Sequence, residues 1–239
     1  MSWNTKITKL LNIDYPIIQG AMAYISDGVL AAAMSHAGCA GVIGSGGFTP
    51  DEVQSHIRRF KDIAGSQKVY GVNLMLQDDN KDDIAQIICD EKVPFVTIGA
   101  GNPIPWFEPF HQKGIKCIPV VPNVKLAQRV QAHGADALVV EGMEAGGHDG
   151  KLTLMALLEN VLPDIEIPVI AAGGVCWGDC RGRYRRRTGY RRSASHGGIR
   201  SPNGYTFSPG RRMQSPPESE GSCHGSSRYG FCCYRIYHR

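Results

Sequence analysis

Short, wholly apolar runs alternate with helix-patterned segments over residues 1–175, and this alternation restricts the fold more than any other feature of the chain. The runs are Pro16–Gly20, Gly41–Gly46, Val69–Leu76, Phe95–Gly101, Lys116–Val121, Ala137–Gly142 and Val169–Gly174. A strand with one wet face alternates apolar and polar residues. Most of these runs do not, so both of their faces are expected to be covered. The segments between them carry helix signals. Thr49, Pro50 and Glu52 supply an N-cap, a first-turn proline and a capping box, with Val53, Ile57 and Phe60 following on one face. Thr153 can cap a later helix whose apolar positions are Leu154, Leu157, Leu158, Val161 and Leu162. Seven strands with six intervening helices predict a parallel α/β fold.

A doubly wound open sheet and a closed (β/α)8 barrel both satisfy that pattern. Two features favour a TIM-type barrel. Polar or glycine-rich segments follow nearly every run, at the end where a barrel gathers its site. The first run also lacks the G-x-G-x-x-G that a dinucleotide-binding sheet places after it. With seven strands in view, the expected barrel is incomplete.

Composition breaks at Val175. Residues 176–239 hold thirteen Arg, three acids and no Lys, Leu or Val, so they carry +10 against −6 for residues 1–175. Five of the eight Cys lie there too. The expected domains are a truncated barrel, 1–175, and a basic Arg/Gly-rich tail, 176–239. The tail has too few apolar residues to offset chain entropy, so disorder or poor packing is expected from about residue 178. Without an eighth strand, two apolar strand edges are expected to stay open. The N-terminus has no signal-peptide run, and nowhere do about 18 apolar residues follow one another. The first part is therefore expected to be cytoplasmic, with reduced thiols.

Four stretches could carry chemistry. "EGMEAGGHDG", Glu141–Gly150, brings Glu141 and Glu144 to a strand end, then a flexible Ala-Gly-Gly and His148. An imidazole there can move a proton near neutral pH, and the glycines admit a flat ligand. A structural histidine in a glycine loop is the alternative. A single His without ligand-like spacing to either Glu argues against a metal. "GVN", Gly71–Asn73, sets an amide inside strand three, where it can bond a polar ring edge or be satisfied by backbone. "GGV", Gly173–Val175, can turn N–H groups toward a phosphate or serve as a plain tight turn. "QGAMA", Gln19–Ala23, is a small-residue turn against which a ligand could lie.

Together "PIIQGAMA", "GVNLML", "TIGAGNP", "IPVV", "EGMEAGGHDG" and "IPVIAAGG" make residues 1–175 resemble a family of flavin-dependent barrel enzymes. That family includes the FMN-containing enoyl-acyl-carrier-protein reductase and nitronate monooxygenase, once called 2-nitropropane dioxygenase. The resemblance implies FMN against the backbone near Ala21 and Met22, with Asn73 on the flavin ring. It implies Glu141 and the Gly146–Gly147 turn lining the flavin, Gly173 and Gly174 at its phosphate, and His148 as the catalytic imidazole. "EGMEAGGHDG" with "GAGNP" looks more like the reductase branch. There NAD(P)H is the co-substrate that reduces FMN, and hydride passes to an enoyl thioester of fatty acid synthesis. In the monooxygenase branch, His148 would act as base on an alkyl nitronate while reduced flavin meets O2. The implied partner is an enoyl substrate, either a small molecule or bound to acyl carrier protein. A homodimer is allowed, and neither a membrane nor nucleic acid is expected.

The family's eighth strand ends in Met-Gly-Thr-Arg, whose Gly-Thr completes the phosphate site, and this chain has no such string. Codons for Asn203–Phe207, "NGYTF", read one nucleotide later can spell it. Arg211–Ser219 shifted the same way permits Glu-Glu-Cys-Lys-Ala-His-Pro-Lys, similar to a stretch of the family soon after strand eight. The Cys is forced, because Met213 before Gln214 becomes TGC. Arginine codons shifted by one yield Gly, Ala, Val or Glu. One frameshift between Val175 and Cys180 thus explains the missing Leu, Val and Lys and the excess Arg together. Weak or absent FMN binding follows, with an inactive remnant as a third reading of function. A functional basic tail competes with this account. Arg with Gly and Tyr can bind RNA. Cys176, Cys180, Cys232, Cys233 and His238 could be offered as zinc ligands, but their spacing fits no known site well.

Overall fold

The computed structural model describes residues 3–146 and 151–173, and the backbone of 191–192, 199–200, 206–207 and 235–237. The chain divides into two units, Met1–Val175 with Arg228–Arg239, and Cys176–Ser227. The first unit opens with α1 (Lys6–Leu11) and α2 (Gly28–His36). The repeating part follows: β1 (Gly41–Ile43), α3 (Pro50–Ala64), β2 (Tyr70–Met75), α4 (Lys81–Asp90), β3 (Phe95–Gly99) and α5 (Ile104–Gln112). It continues through β4 (Lys116–Val121), α6 (Val124–Ala132), β5 (Leu138–Glu141), α7 (Leu154–Val161) and β6 (Val169–Ala172).

These six strands pair in parallel, each with its neighbour in the chain. That order decides between the two architectures. A doubly wound sheet reverses its strand order near the middle, whereas a barrel keeps chain order around the ring. The first unit is an incomplete (β/α) barrel.

Buried side chains fall into two sets, one on each face of the sheet. Ile43, Val72, Leu74, Val96, Ile98, Leu138 and Val140 pack outward against residues of α2 to α7, such as Val53, Ile57, Phe60 and Leu157. Val42, Phe95, Ile118, Val139, Ile170 and Ala172 face inward, together with Ile7 and Leu11 of α1. Double coverage is why the strand sequences are apolar throughout. Helix α1 sits at the N-terminal end of the strands, where Lys6 Nζ donates to the Glu166 carbonyl at 3.0 Å, just ahead of β6.

Gly71 makes this interior possible. It pairs directly with Phe95 across β2 and β3, and a Cβ at residue 71 would overlap the Phe95 ring. Phe95 is fully buried, so its ring packs against protein on every side. Gly71→Ala is expected to destabilise the protein by about 1–3 kcal/mol, the usual cost of overpacking. Urea denaturation measures it, and an unchanged midpoint would mean that the ring is not held there.

The helix starts match expectation. Thr49 accepts from the Glu52 N–H, Glu52 accepts from the Thr49 N–H at 2.7 Å, and Pro50 opens α3. Hydrogen bonds donated to it by the Thr49 N–H and hydroxyl hold the Glu52 carboxyl below the usual carboxylate range. Thr153 caps α7, whose buried residues are Leu154, Leu157, Leu158 and Val161.

Two expectations need correction. The run Pro16–Gly20 does not form a seventh strand; it contributes a single parallel bridge, Ile18 to Ala40. The reason is local. Val42 N–H, the donor for the next rung, is taken by the Gln19 side chain at 3.2 Å, and the backbone leaves the sheet. The edge of β6 is also not open. In the described backbone four more strands follow: β7 (Arg191–Arg192), β8 (Ile199–Arg200), β9 (Thr206–Phe207) and β10 (Arg235–Tyr237). Strand β10 pairs antiparallel with β6, Arg235 opposite Ala171 and Tyr237 opposite Val169. Three residues of backbone can satisfy an edge whatever their side chains, so a low apolar content does not leave it open. Strands β7, β8 and β9 form a separate antiparallel sheet in the second unit. The remaining residues to which the expectation of disorder applied lie outside those described. Among the described residues, no helix is long and apolar enough to cross a membrane.

Candidate functional site

Inward-facing positions change character along the strands. Near the N-terminal ends they are apolar, with Phe95, Ile118, Ala137 and Ile170 all buried. Further along, several become small or polar: Asn73 on β2, Thr97 and Gly99 on β3, and Glu141 on β5. The two-residue period of a strand keeps each series on one face. The polar layer therefore lies at the C-terminal end of the strands.

Asn73 and Thr97 are paired across β2 and β3, and the Thr97 hydroxyl donates to Asn73 Oδ1 at 3.2 Å. Both residues are buried, at 8% and 6% exposure. Asn73 is thus satisfied by a side chain rather than by backbone, and only through its oxygen. Its Nδ2 makes no hydrogen bond among the described residues. An amide fixed by its oxygen presents two N–H donors in a set direction. Thr97 was missed in the sequence, although "FVTIG" places one hydroxyl in an otherwise apolar strand.

Ala21 and Met22 occupy the turn after Gln19. Met22 N–H donates to Ser26 Oγ at 2.9 Å, and the Met22 carbonyl accepts from the N–H groups of Ile25 and Ser26. The N–H groups of Ala21 and Ala23 have no backbone partner among the described residues. A flat ligand can therefore lie against this turn and meet small side chains. Two non-glycine residues with left-handed backbone, Tyr24 (φ 61°) and Ala100 (φ 60°), lie in loops at this same end. Such conformations gather at ligand sites, where surrounding structure holds them.

Glu141 ends β5, half-buried and in register with Ala172 of β6. Beyond it, Gly142 N–H donates to the Ala172 carbonyl and Ala145 N–H to the Gly142 carbonyl, both at 3.0 Å. Gly173 lies against this loop with φ +75°, and a Cβ there would sit 2.7 Å from the Ala145 nitrogen. Only glycine suits that combination of backbone and crowding. Glu144, the second carboxylate of the motif, accepts from the Leu154 N–H at 2.9 Å and so belongs to the start of α7. Gly146 is exposed at the end of the described loop. Gly147, His148 and Gly174 lie outside the described residues.

Two groups with strongly raised pKa values lie elsewhere. Burial pushes up the Tyr70 phenol and the Cys117 thiol, both on the outer side of the sheet, so both stay neutral and serve packing. The donor pair of Asn73, the small-residue turn and the Gly173 backbone fit a planar heteroaromatic ring with a polar edge and an anionic tail. An FMN group meets that description.

Residues 4–180 match the family model described as nitronate monooxygenase. The chain is 32% identical over 177 residues to a curated relative from Mycobacterium tuberculosis, covering 73% of this chain and 49% of that protein. The relative is (3aS,4S,5R,7aS)-5-hydroxy-7a-methyl-1-oxo-octahydro-1H-indene-4-carboxyl-CoA dehydrogenase. A probable nitronate monooxygenase of Staphylococcus saprophyticus is 28% identical over 222 residues, covering 73% of this chain and 62% of that protein. Among solved structures, FabK from Thermotoga maritima is similar with a TM-score of 0.69 and 42% identity, over 71% of this chain and 54% of that one. The chain spans about half the length of the first two curated relatives it matches.

Proposed function

The chain belongs to the nitronate monooxygenase family, whose members are flavin-dependent oxidoreductases, and from that premise we propose that its lineage activity is FMN-dependent reduction of an enoyl thioester by NAD(P)H. The observation that carries this reading is the ranking of likenesses. A carboxyl-CoA dehydrogenase at 32% and FabK at 42% exceed the nitronate monooxygenase relative at 28%. The dehydrogenase is named for a carboxyl-CoA substrate, and the likeness to FabK supports the enoyl-acyl-carrier-protein reductase reading.

The chemistry that bound FMN supplies is hydride transfer from NAD(P)H to the β-carbon of the enoyl group. The chain's residues do the rest. The Asn73 amide would donate to the ring edge, with the Thr97 hydroxyl holding its oxygen. The backbone around Ala21 and Met22 would hold one side of the ring, and Glu141, Gly146 and Gly147 would line it. Gly173 and Gly174 would hold the phosphate through backbone N–H groups. His148 orients the thioester and gives a ring N–H proton to the α-carbon, balancing the hydride received at the β-carbon.

A second reading, oxidation of alkyl nitronates with O2, is supported by the family description and the Staphylococcus saprophyticus relative. NADH consumption that depends on a crotonyl thioester supports the first reading. Oxygen uptake with a nitronate, and no thioester-dependent NADH loss, selects the second. We also propose that residues 176–239 are read out of frame. The family match stops at residue 180, beside the break in composition at Val175. A chain inert in both assays, with flavin supplied, fits the remnant that such a frame produces.

A further inference from the structure

Resting on the reading of the Ala21–Met22 turn as flavin-facing, we propose that Gln19 and Ser26 are the positioning pair that sets this turn. The ladder between the first run and β1 starts normally. Gln19 N–H donates to the Ala40 carbonyl at 2.8 Å, and Ala40 N–H to the Ile17 carbonyl at 3.0 Å. In a parallel ladder the next bond runs from Val42 N–H to the Gln19 carbonyl. Here Val42 N–H donates to Gln19 Oε1 at 3.2 Å instead. The side chain completes the rung, and the main chain is released to turn at Gly20.

The other end of the same amide builds that turn. Gln19 Nε2 donates to the Gly20 carbonyl and, at 2.8 Å, to Ser26 Oγ. Ser26 Oγ also accepts from Met22 N–H at 2.9 Å and donates to the Gly20 carbonyl at 3.3 Å. A hydroxyl has one donor and two acceptor sites, and all three are in use. Gln19 is 6% exposed and Ser26 0%, so water cannot replace either group cheaply. Ser26 also accepts, through its carbonyl, from Gly44 N–H at 2.8 Å, which ties the turn to the end of β1. One amide and one hydroxyl thus fix residues 20–26 relative to the sheet without a strand. An aliphatic residue at 19 can fill the space and keep the fold, but it cannot hold both the rung and the turn.

The test uses the full chain with riboflavin as probe, because riboflavin lacks the phosphate and does not depend on the loops around 173. Ser26→Ala and Gln19→Met are compared with wild type by riboflavin fluorescence quenching, hydrogen exchange at the Met22 amide and thermal unfolding. Both variants are expected to stay folded, to lose Met22 amide protection and to bind riboflavin at least about tenfold more weakly. Wild-type riboflavin affinity in a variant whose Met22 amide exchanges freely overturns the inference alone, since the turn would then be loose without consequence. Retained Met22 protection in Ser26→Ala overturns it too. If both variants unfold, the pair is structural rather than positioning, and the inference is lost. If wild type binds no riboflavin, the flavin reading falls and takes this inference with it.

Discussion

Shifting the reading frame by one nucleotide between codons 175 and 180 is expected to turn a colourless protein into a yellow one. In this chain the described site ends at Gly173, which meets the loop after β5 and can serve one side of a phosphate. The other side calls for a parallel neighbour of β6 whose C-terminal end arrives at the same face. The neighbour present is β10, three residues long and antiparallel, so the end it brings to that face is its N-terminal one. A phosphate deprived of two or three charged hydrogen bonds loses roughly 3–6 kcal/mol, or about 10²–10⁴-fold in affinity. The restored protein is expected to purify with close to one FMN per chain, read from its visible spectrum after denaturation. Equal flavin content before and after the shift would mean that residues 176–239 were not at fault.

In the frame-restored protein, His148→Ala is expected to lower thioester-dependent NADH turnover by about 10²–10⁴-fold, the usual worth of a positioned general acid. Bound FMN should be unaffected, because the proposed flavin contacts come from Asn73, the Ala21–Met22 backbone, Glu141 and the glycine turns. That pairing of results separates a catalytic imidazole from a structural histidine, which would reduce flavin content and turnover together. A variant with full turnover would remove His148 from the mechanism.

The architecture was readable because strands covered on both faces leave an unmistakable pattern. Lys116–Val121 was located to the residue, and the other runs that became strands were trimmed by one to three residues at their ends. Pro16–Gly20 was misread for a reason that hydrophobicity cannot reveal: the Gln19 side chain takes a backbone partner and ends the ladder. Asn73 stood out as an amide in an apolar strand, but its partner Thr97 emerges only from the register between β2 and β3. Glu144 looked equivalent to Glu141 until α7 was placed, when its carboxylate proved to accept from the first N–H of that helix. Strand β10 could not be foreseen at all. Backbone pairing at an open edge needs no side-chain signal, and composition speaks only of side chains.

Comparing FMN with riboflavin on the unaltered protein tests the central claim most directly, that residues 1–175 form a flavin-ring cradle whose phosphate site is incomplete. The two probes share the ring and differ only in the phosphate, so their affinity ratio isolates the contribution of that site. The account predicts measurable binding of both, with FMN favoured by less than about tenfold. Stoichiometric FMN retained through purification, with riboflavin weaker by a thousandfold or so, would contradict it.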